Sequence, residues 1–179
     1  QALEINAAAE RLGRKAALHI KVDSGLHRLG FMPGPAAAEE VERVCRLPYL
    51  DVQGIFSHFA IADSADKSYS QWQHQRFAAF LHLLAQRGLS FPLCHVANSA
   101  AITDLPEYWY NAVRPGIILY GSYASDETRK LRGLKPVMTV KARIVRLARV
   151  PAGSCVSYGC IWQAERESVL ATLPLGYAD

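Results

Sequence analysis

The sequence predicts an α/β fold of parallel βα units, followed by a second region built from β-strands. Over residues 1–122, short apolar runs alternate with longer segments of helical spacing, beginning with a helix. Beyond residue 136 the hydrophobic period changes to two, and no helical period follows. We therefore expect a first domain at 1–122 and a second at 123–179, with the boundary inside 122–136.

The elements of the first domain follow from apolar spacing and from the positions of Gly and Pro. Pro35 suits the first turn of a helix, and Gly13 and Gly88 each suit the end of one. We predict helices at 2–12, 36–47, 71–88 and 98–104, and strands at 16–23, 50–59, 91–97 and 116–121. In the second domain, strands are predicted at 136–153 and 168–178.

Composition excludes several classes of function. Half of the 179 residues are hydrophobic, which allows a sizeable core, and a net charge of +4 with scattered basic residues does not favour nucleic-acid binding. No apolar run is long enough to span a membrane, and no signal peptide is visible. The four cysteines lack the spacing of a metal or disulfide site, so we expect packing thiols, no metal and a cytoplasmic setting.

Polar residues lie at the ends of the first three predicted strands, and Arg114 comes just before the fourth, where α/β proteins carry their chemistry. They are Lys21, Asp23, Ser24, Arg28, Ser57, His58, His95, Asn98, Ser99 and Arg114. The Ser99 hydroxyl and the N–H groups near 98–100 and 116–117 suit an anion such as phosphate, and Arg114 adds a positive charge. Taken singly, Ser99 could equally be a helix N-cap and Arg114 a solvated surface charge.

Six segments resemble, in order, the sequence blocks of the alanine racemase family. They are KVDSGLHRLGF (21–31), GIFSHFAIAD (54–63), HVANSAA (95–101), VRPGIILYG (113–121), VSYG (156–159) and LPLGYAD (173–179). That family uses pyridoxal 5'-phosphate (PLP) and has an N-terminal (β/α)8 TIM-type barrel and a C-terminal β domain. The resemblance implies that this chain covers the later half of the barrel and the first strands of the β domain.

The resemblance also implies which residues bind the cofactor. Ser99, Gly116 and Ile117 fall on the positions that hold the PLP phosphate. Arg114 falls on the arginine that faces the pyridine nitrogen and keeps it unprotonated, which limits delocalisation of the carbanion and favours reprotonation. His95 and Asn98 would lie behind Arg114 and the phosphate.

Catalytic and substrate-binding roles are implied in the same way. Tyr158 matches one of two bases that act on opposite faces of the substrate Cα. His58 matches the histidine that links this tyrosine to Arg114, and a cationic neighbour would favour the phenolate. Arg28 matches the arginine that contacts the cofactor phenolic oxygen and the substrate carboxylate. Lys21 matches a lysine that is often carbamylated in the family, although from the residues alone it could be a plain lysine paired with Asp23.

Two family features are absent from the 179 residues. No lysine lies in a context like KANAYGHG, where the family carries its Schiff-base lysine, and the C-terminal block is also absent. A smaller departure is Ile161, where relatives commonly carry Thr. We therefore expect an internal fragment that lacks both ends, poorly stable and inactive by itself.

The resemblance finally implies partners and a pathway. The substrate is a small amino acid, and the product D-alanine would supply peptidoglycan. The working enzyme would be a head-to-tail homodimer in which Tyr158 and Tyr177 serve the partner's active site. Three alternatives stay open: a serine racemase of the same fold, a non-catalytic PLP-binding barrel protein, and a purely structural module.

Overall fold

The structure, a computed structural model, describes residues 1–131 and 133–177. The chain divides into two compact units, Gln1–Val137 and Met138–Asp179. The domain limits given above stay a prediction. Arg132, Ala178 and Asp179 lie outside the described residues, so the last two positions of the predicted strand 168–178 and of the GYAD segment are not described.

The first unit alternates helices and parallel strands. Its elements are α1 (Ala2–Arg11), β1 (Ala16–Lys21), α2 (Pro35–Cys45), β2 (Leu50–Phe56), α3 (Ser68–Gln86), β3 (Leu93–His95) and α4 (Ser99–Asp104). The four predicted helices and the first three predicted strands are confirmed. Helix α3 begins three residues before its predicted start, because the Asp66 carboxylate accepts the Ser68 N–H at 2.9 Å and so stabilises an earlier first turn.

The three strands form one parallel sheet in the order β1-β2-β3. Helices α2 and α3 cover this sheet, and the core between them contains Val22, Val41, Ile55, Phe77 and Val96, all fully buried. Because the three strands are parallel, their carboxyl ends all lie at one edge of the sheet. The candidate residues that follow each strand are therefore brought to the same edge.

The predicted fourth strand at 116–121 is wrong. Ile117–Tyr120 is a 3-10 helix that ends at Gly121, whose φ of 78° lies in the left-handed region. The run satisfies its backbone locally: Leu119 N donates to Gly116 O at 3.0 Å, and Gly121 N donates to Ile118 O at 3.1 Å. These N–H groups are therefore not available to pair with β3.

The second unit contains only strands and a short 3-10 helix among its described residues. Strand β4 (Arg146–Val150) pairs antiparallel with β7 (Ser168–Thr172), and β5 (Cys155–Val156) pairs with β6 (Trp162–Gln163). The strand predicted at 136–153 is therefore much shorter than expected, since only the residues opposite β7 have a ladder partner. The strand predicted from 168 also ends early, at Thr172, before Pro174.

Candidate active site

The candidate site is organised around the Arg114 guanidinium at the carboxyl edge of the sheet. Its backbone N–H donates to Ala97 O at 3.0 Å, which joins residue 114 to the segment that follows β3. Its Nη2 donates to Ser57 O at 2.8 Å and to His58 Nδ1 at 3.1 Å. Its Nη1 donates to His95 Nδ1. Arg114 is thus fixed by groups that follow two different strands, and it is not the solvated surface charge of the alternative interpretation.

Both histidines that contact Arg114 are neutral at physiological pH. Burial, and then the positive charge of Arg114, lower the pKa of His58 to about 4. The same two causes, together with His19, lower the pKa of His95 to about 4. Because arginine has no hydrogen-bond acceptor, each ring must present an unprotonated Nδ1 to it. The positive charge of this network therefore resides on Arg114, and His58 is a neutral link.

A second feature of this edge is a corner formed by Asn98, Ser99 and Gly116. Asn98 is the N-cap of α4, since its Oδ1 accepts the Ala101 N–H at 3.1 Å, and this corrects the interpretation of Ser99 as the cap. Ser99 Oγ accepts the Gly116 N–H at 2.8 Å. A small cavity of about 210 Å³ lies here, lined by Asp63, Asn98, Ser99, Ala100, Ile117 and Ala124.

The donors at this corner fit a phosphate group. The Ser99 hydroxyl accepts from Gly116, which leaves its own O–H free to donate. The first N–H groups of α4 and of the 3-10 helix at Ile117 have no partner within their own helices. A hydroxyl and several N–H groups converging on one cavity are the donor set that an anion requires. The residues present thus fit the phosphate of PLP, although the Asp63 carboxylate also borders the cavity.

Lys21, the last residue of β1, has an unusual environment. Its Nζ donates to Val22 O at 3.0 Å and lies 5.3 Å from the centre of the Phe56 ring. Burial, opposed by Asp23 and assisted by Arg114 and Arg28, lowers the pKa of Lys21 to about 8. A substantial fraction of this amine is therefore neutral near physiological pH.

Lys21 and Asp23 form no direct ion pair among the described residues, although the charge of Asp23 partly offsets the effect of burial, which lowers the pKa of Lys21. Asp23 instead accepts backbone N–H groups from Gly25, His27 and Arg28 at 2.9–3.0 Å. Burial alone would raise the pKa of Asp23, but these hydrogen bonds outweigh it and the pKa is lowered. Asp23 thus shapes the loop that carries Arg28, whose side chain is exposed.

Tyr158 and Tyr177 lie in the second unit and are highly exposed. Their relative exposures are 91% and 107%. Tyr158 opens a short 3-10 helix, Tyr158–Cys160, in the connection between β5 and β6, and is not part of a β-strand. The two phenol groups are therefore accessible to another molecule.

The prediction that all four cysteines are packing thiols is wrong for two of them. Cys155 and Cys160 are exposed on either side of Tyr158, because the hairpin between β5 and β6 has no covering element among the described residues. Cys45 and Cys94 are partly buried as expected, and burial raises the pKa of the Cys94 thiol to about 12.

Sequence reasoning missed His19 and Gly54. His19 Nδ1 lies 3.0 Å from His95 Nε2, and the imidazole packs against the backbone of Gly54 in β2. Two signals were present: His19 lies two residues before Lys21, hence on the same face of β1, and an isolated glycine inside a strand marks close approach of another group.

No helix in 1–131 or 133–177 is long and apolar enough to cross a membrane. No group of three or more His, Cys, Asp or Glu in those same ranges is arranged to hold a metal ion.

Comparison with known proteins defines the class to which this fold and this site belong. The family model described as alanine racemase, N-terminal domain, matches residues 1–124, and the model for the C-terminal domain matches residues 137–179. The chain is 49% identical to an alanine racemase of Desulforamulus reducens over 99% of its own length and 48% of the relative's. It is 44% identical to an alanine racemase of Methanococcus maripaludis, over 98% of this chain and 47% of that one.

Solved structures give the same result. An alanine racemase from Streptomyces coelicolor A3(2) superposes with a TM-score of 0.85 at 38% identity, over 99% of this chain and 48% of that one. An alanine racemase from Clostridium difficile 630 gives a TM-score of 0.83 at 41% identity, over 99% and 47%. These neighbours confirm the predicted fold class, a TIM-type barrel followed by a β domain. The chain belongs to the alanine racemase family, and it spans about half the length of the relatives it matches.

Proposed function

We propose that the complete protein interconverts L-alanine and D-alanine with PLP as its cofactor. The observation that carries this proposal is the fixed Arg114 guanidinium, hydrogen-bonded to two neutral histidines beside the Ser99–Gly116 corner. A guanidinium that donates to a ring nitrogen leaves that nitrogen unprotonated, which is the state that favours racemisation over side reactions.

Within this proposal the first unit binds the cofactor. Ser99 and Ile117 would donate to the phosphate, Gly116 would hold the Ser99 hydroxyl in place through its N–H, Arg114 would donate to the pyridine nitrogen, and His95 and Asn98 would support them from behind. PLP, when bound, withdraws electrons from the substrate Cα and makes its proton acidic. The protein's own task is then to orient the amino acid and to move that proton.

Tyr158 is assigned to proton transfer on one face of the Cα, in the active site of the partner subunit. His58 Nδ1 accepts from Arg114, so the proton of this neutral ring is on Nε2 and available to a phenolate oxygen. The Tyr158 oxygen would take the Cα proton, or return one to it, while His58 Nε2–H stabilises its negative form. The exposure of Tyr158 agrees with a role toward another subunit.

Arg28 and Tyr177 are assigned to the substrate carboxylate. Lys21 is assigned to orienting Arg28 as a carbamate, formed when its neutral amine attacks CO₂ and releases a proton. With a pKa of about 8, about a quarter of Lys21 is neutral at pH 7.5, against about a thousandth at the ordinary value. The carbamate carries one negative charge and would pair with the Arg28 guanidinium.

The second proton-transfer group, a lysine that also binds PLP, is assigned to a part of the protein outside these 179 residues. Activity is therefore a property of the complete homodimer. We place it in the cytoplasm, where the D-alanine it forms would supply peptidoglycan synthesis.

The proposal is tested by following α-proton exchange of L-alanine in heavy water with added PLP. The complete protein should exchange and racemise alanine, and the 179-residue chain alone should not. Tyr158→Phe should reduce exchange by about a thousandfold. The matched control Tyr49→Phe lies just before β2, away from the carboxyl edge of the sheet, and should leave exchange unchanged. Saturable PLP binding without exchange would instead indicate a non-catalytic binding protein, and L-serine run in parallel identifies a serine racemase.

A further inference from the structure

The side chain of His19 occupies an irregular place in the sheet. The parallel pairing of β1 with β2 runs from Ala16↔Leu50 to Leu18↔Val52 and then resumes at His19↔Gly54, so Gln53 is skipped. An extra residue of this kind forms a β-bulge, which redirects the neighbouring side chains and is frequent beside active sites. The bulge is located at His19, the single histidine of β1, which hydrogen-bonds His95 of the Arg114 network.

Gly54 provides the space into which the His19 ring packs. A Cβ at position 54 would lie 2.7 Å from His19 Cε1 and 2.8 Å from His19 Nδ1, closer than atoms of this kind approach one another. The imidazole therefore lies directly against the β2 backbone, and a Cβ at position 54 would also lie 2.8 Å from Leu93 O, so glycine is strongly favoured there. The bulge and the glycine together place this ring against β2, next to His95.

This placement presents His19 Nδ1 to His95 Nε2 at 3.0 Å. His95 Nδ1 accepts from the Arg114 guanidinium, which is only a donor, so the proton of the neutral His95 ring is on Nε2. His95 Nε2–H then donates to His19 Nδ1, and His19 carries its own proton on Nε2. The protonation of all three groups follows from a single chain of hydrogen bonds that starts at Arg114.

The His95 ring is also held in its plane. It stacks on Phe56 with ring centres 5.0 Å apart and an interplanar angle of 23°, and only 8% of the residue is exposed. Stacking fixes the plane of a ring but not which edge faces Arg114, since a half-turn of the imidazole would exchange Nδ1 for a carbon. An acceptor at the Nε2 edge supplies the missing restraint.

We propose that His19 is a positioning residue: by accepting from His95 Nε2–H it keeps His95 Nδ1 directed at Arg114 and thereby fixes the guanidinium. The chain of hydrogen bonds does not depend on the proposed racemase function, whereas its consequence for catalysis rests on that function. His19 makes no contact with the anion corner, and its effect is transmitted through His95.

The test uses the complete protein with PLP, labelled with ¹⁵N-histidine, and three variants. In the wild type, the His95 signals should show a protonated Nε2 and an unprotonated Nδ1. His19→Leu removes the acceptor and should change the His95 signals and reduce kcat about tenfold. His19→Asn keeps an acceptor oxygen near the position of Nδ1, so it should keep the His95 signals and kcat close to those of the wild type. His82→Leu, on the exposed face of α3, should change neither.

Several results would overturn the proposal. One is a His95 ring protonated on Nδ1 in the wild type, a measurement that does not depend on any variant folding. Another is an equal loss of kcat and an equal change of the His95 signals in His19→Leu and His19→Asn, which would mean that the His19 ring only fills space. Because the ¹⁵N signals need no turnover, a protein with the expected tautomers but no racemisation would refute the proposed function and leave the positioning role intact.

Discussion

Acidification should destabilise this protein through His58 and His95. Both rings are neutral in the folded state, with the pKa lowered from 6.5 to about 4 by burial and by Arg114. In the unfolded chain each histidine takes up a proton below about pH 6.5. The unfolded state therefore binds more protons between pH 6.5 and 4, and stability is lost as the pH falls through that window.

The size of the effect can be worked out from the two pKa values. For one histidine with a pKa of 6.5 unfolded and about 4 folded, a change from pH 7.5 to 5.0 costs about 2 kcal/mol before solvent screening. Solvent screening weakens both contributions, so we halve this to about 1 kcal/mol each. Together, His58 and His95 should lower the free energy of unfolding by about 2 kcal/mol when the pH falls from 7.5 to 5.0.

The assay is urea unfolding of the complete protein at pH 7.5 and pH 5.0. His95→Asn keeps an oxygen acceptor for Arg114 but cannot titrate, so its acid-induced loss should be smaller than that of the wild type by about 1 kcal/mol. His82→Asn is the matched control, since His82 is exposed on α3 and hydrogen-bonds Gln86, and it should behave as the wild type does. If His95→Asn loses as much stability on acidification as the wild type, the assignment of a neutral, buried His95 is refuted.

Three further predictions concern single positions. Ser99→Ala removes the acceptor of Gly116 N–H and a phosphate donor, so PLP affinity measured by equilibrium dialysis should fall about tenfold; unchanged affinity would contradict the phosphate site. Gly54→Ala should cost about 2 kcal/mol in urea unfolding, because its Cβ would lie 2.7 Å from the His19 ring and 2.8 Å from Leu93 O; a cost below about 0.5 kcal/mol would contradict this close packing. ¹³C-bicarbonate should give a carbamate signal by NMR that disappears in Lys21→Arg.

The helices and the first three strands were predictable because their signals are local. Pro35 at the start of α2 and the apolar spacing of α3 act within a few residues, and the structure follows them. The run at 116–121 has the composition of a buried strand, but pairing depends on a partner. Ile117, Leu119 and Tyr120 are instead 45–66% exposed in a 3-10 turn, which no local pattern distinguishes from a short strand.

Residues of the site were predictable by type and place, but their protonation was not. The positions of His58 and His95 at the ends of predicted strands, with Arg114 just before the next, indicated one site. Their pKa values depend on burial and on Arg114, which lies 56 residues from His58 and 19 from His95 along the chain. Exposure of Cys155 and Cys160 was missed for a related reason, since what covers a hairpin cannot be read from the hairpin itself.

The neutrality of the two histidines connects the fold to the proposed chemistry. A protonated His58 would present N–H at both nitrogens, so it could not accept from Arg114, and its charge would repel the guanidinium. Holding Arg114 in place therefore requires the same His58 tautomer that leaves Nε2–H available for the phenolic oxygen that we propose Tyr158 of another subunit provides. One cation, placed at the ends of β2 and β3, thus sets the proton positions on both of its neighbours. Any substitution that makes residue 58 or 95 a cation should impair Arg114 and Tyr158 together, because a single set of hydrogen bonds determines both.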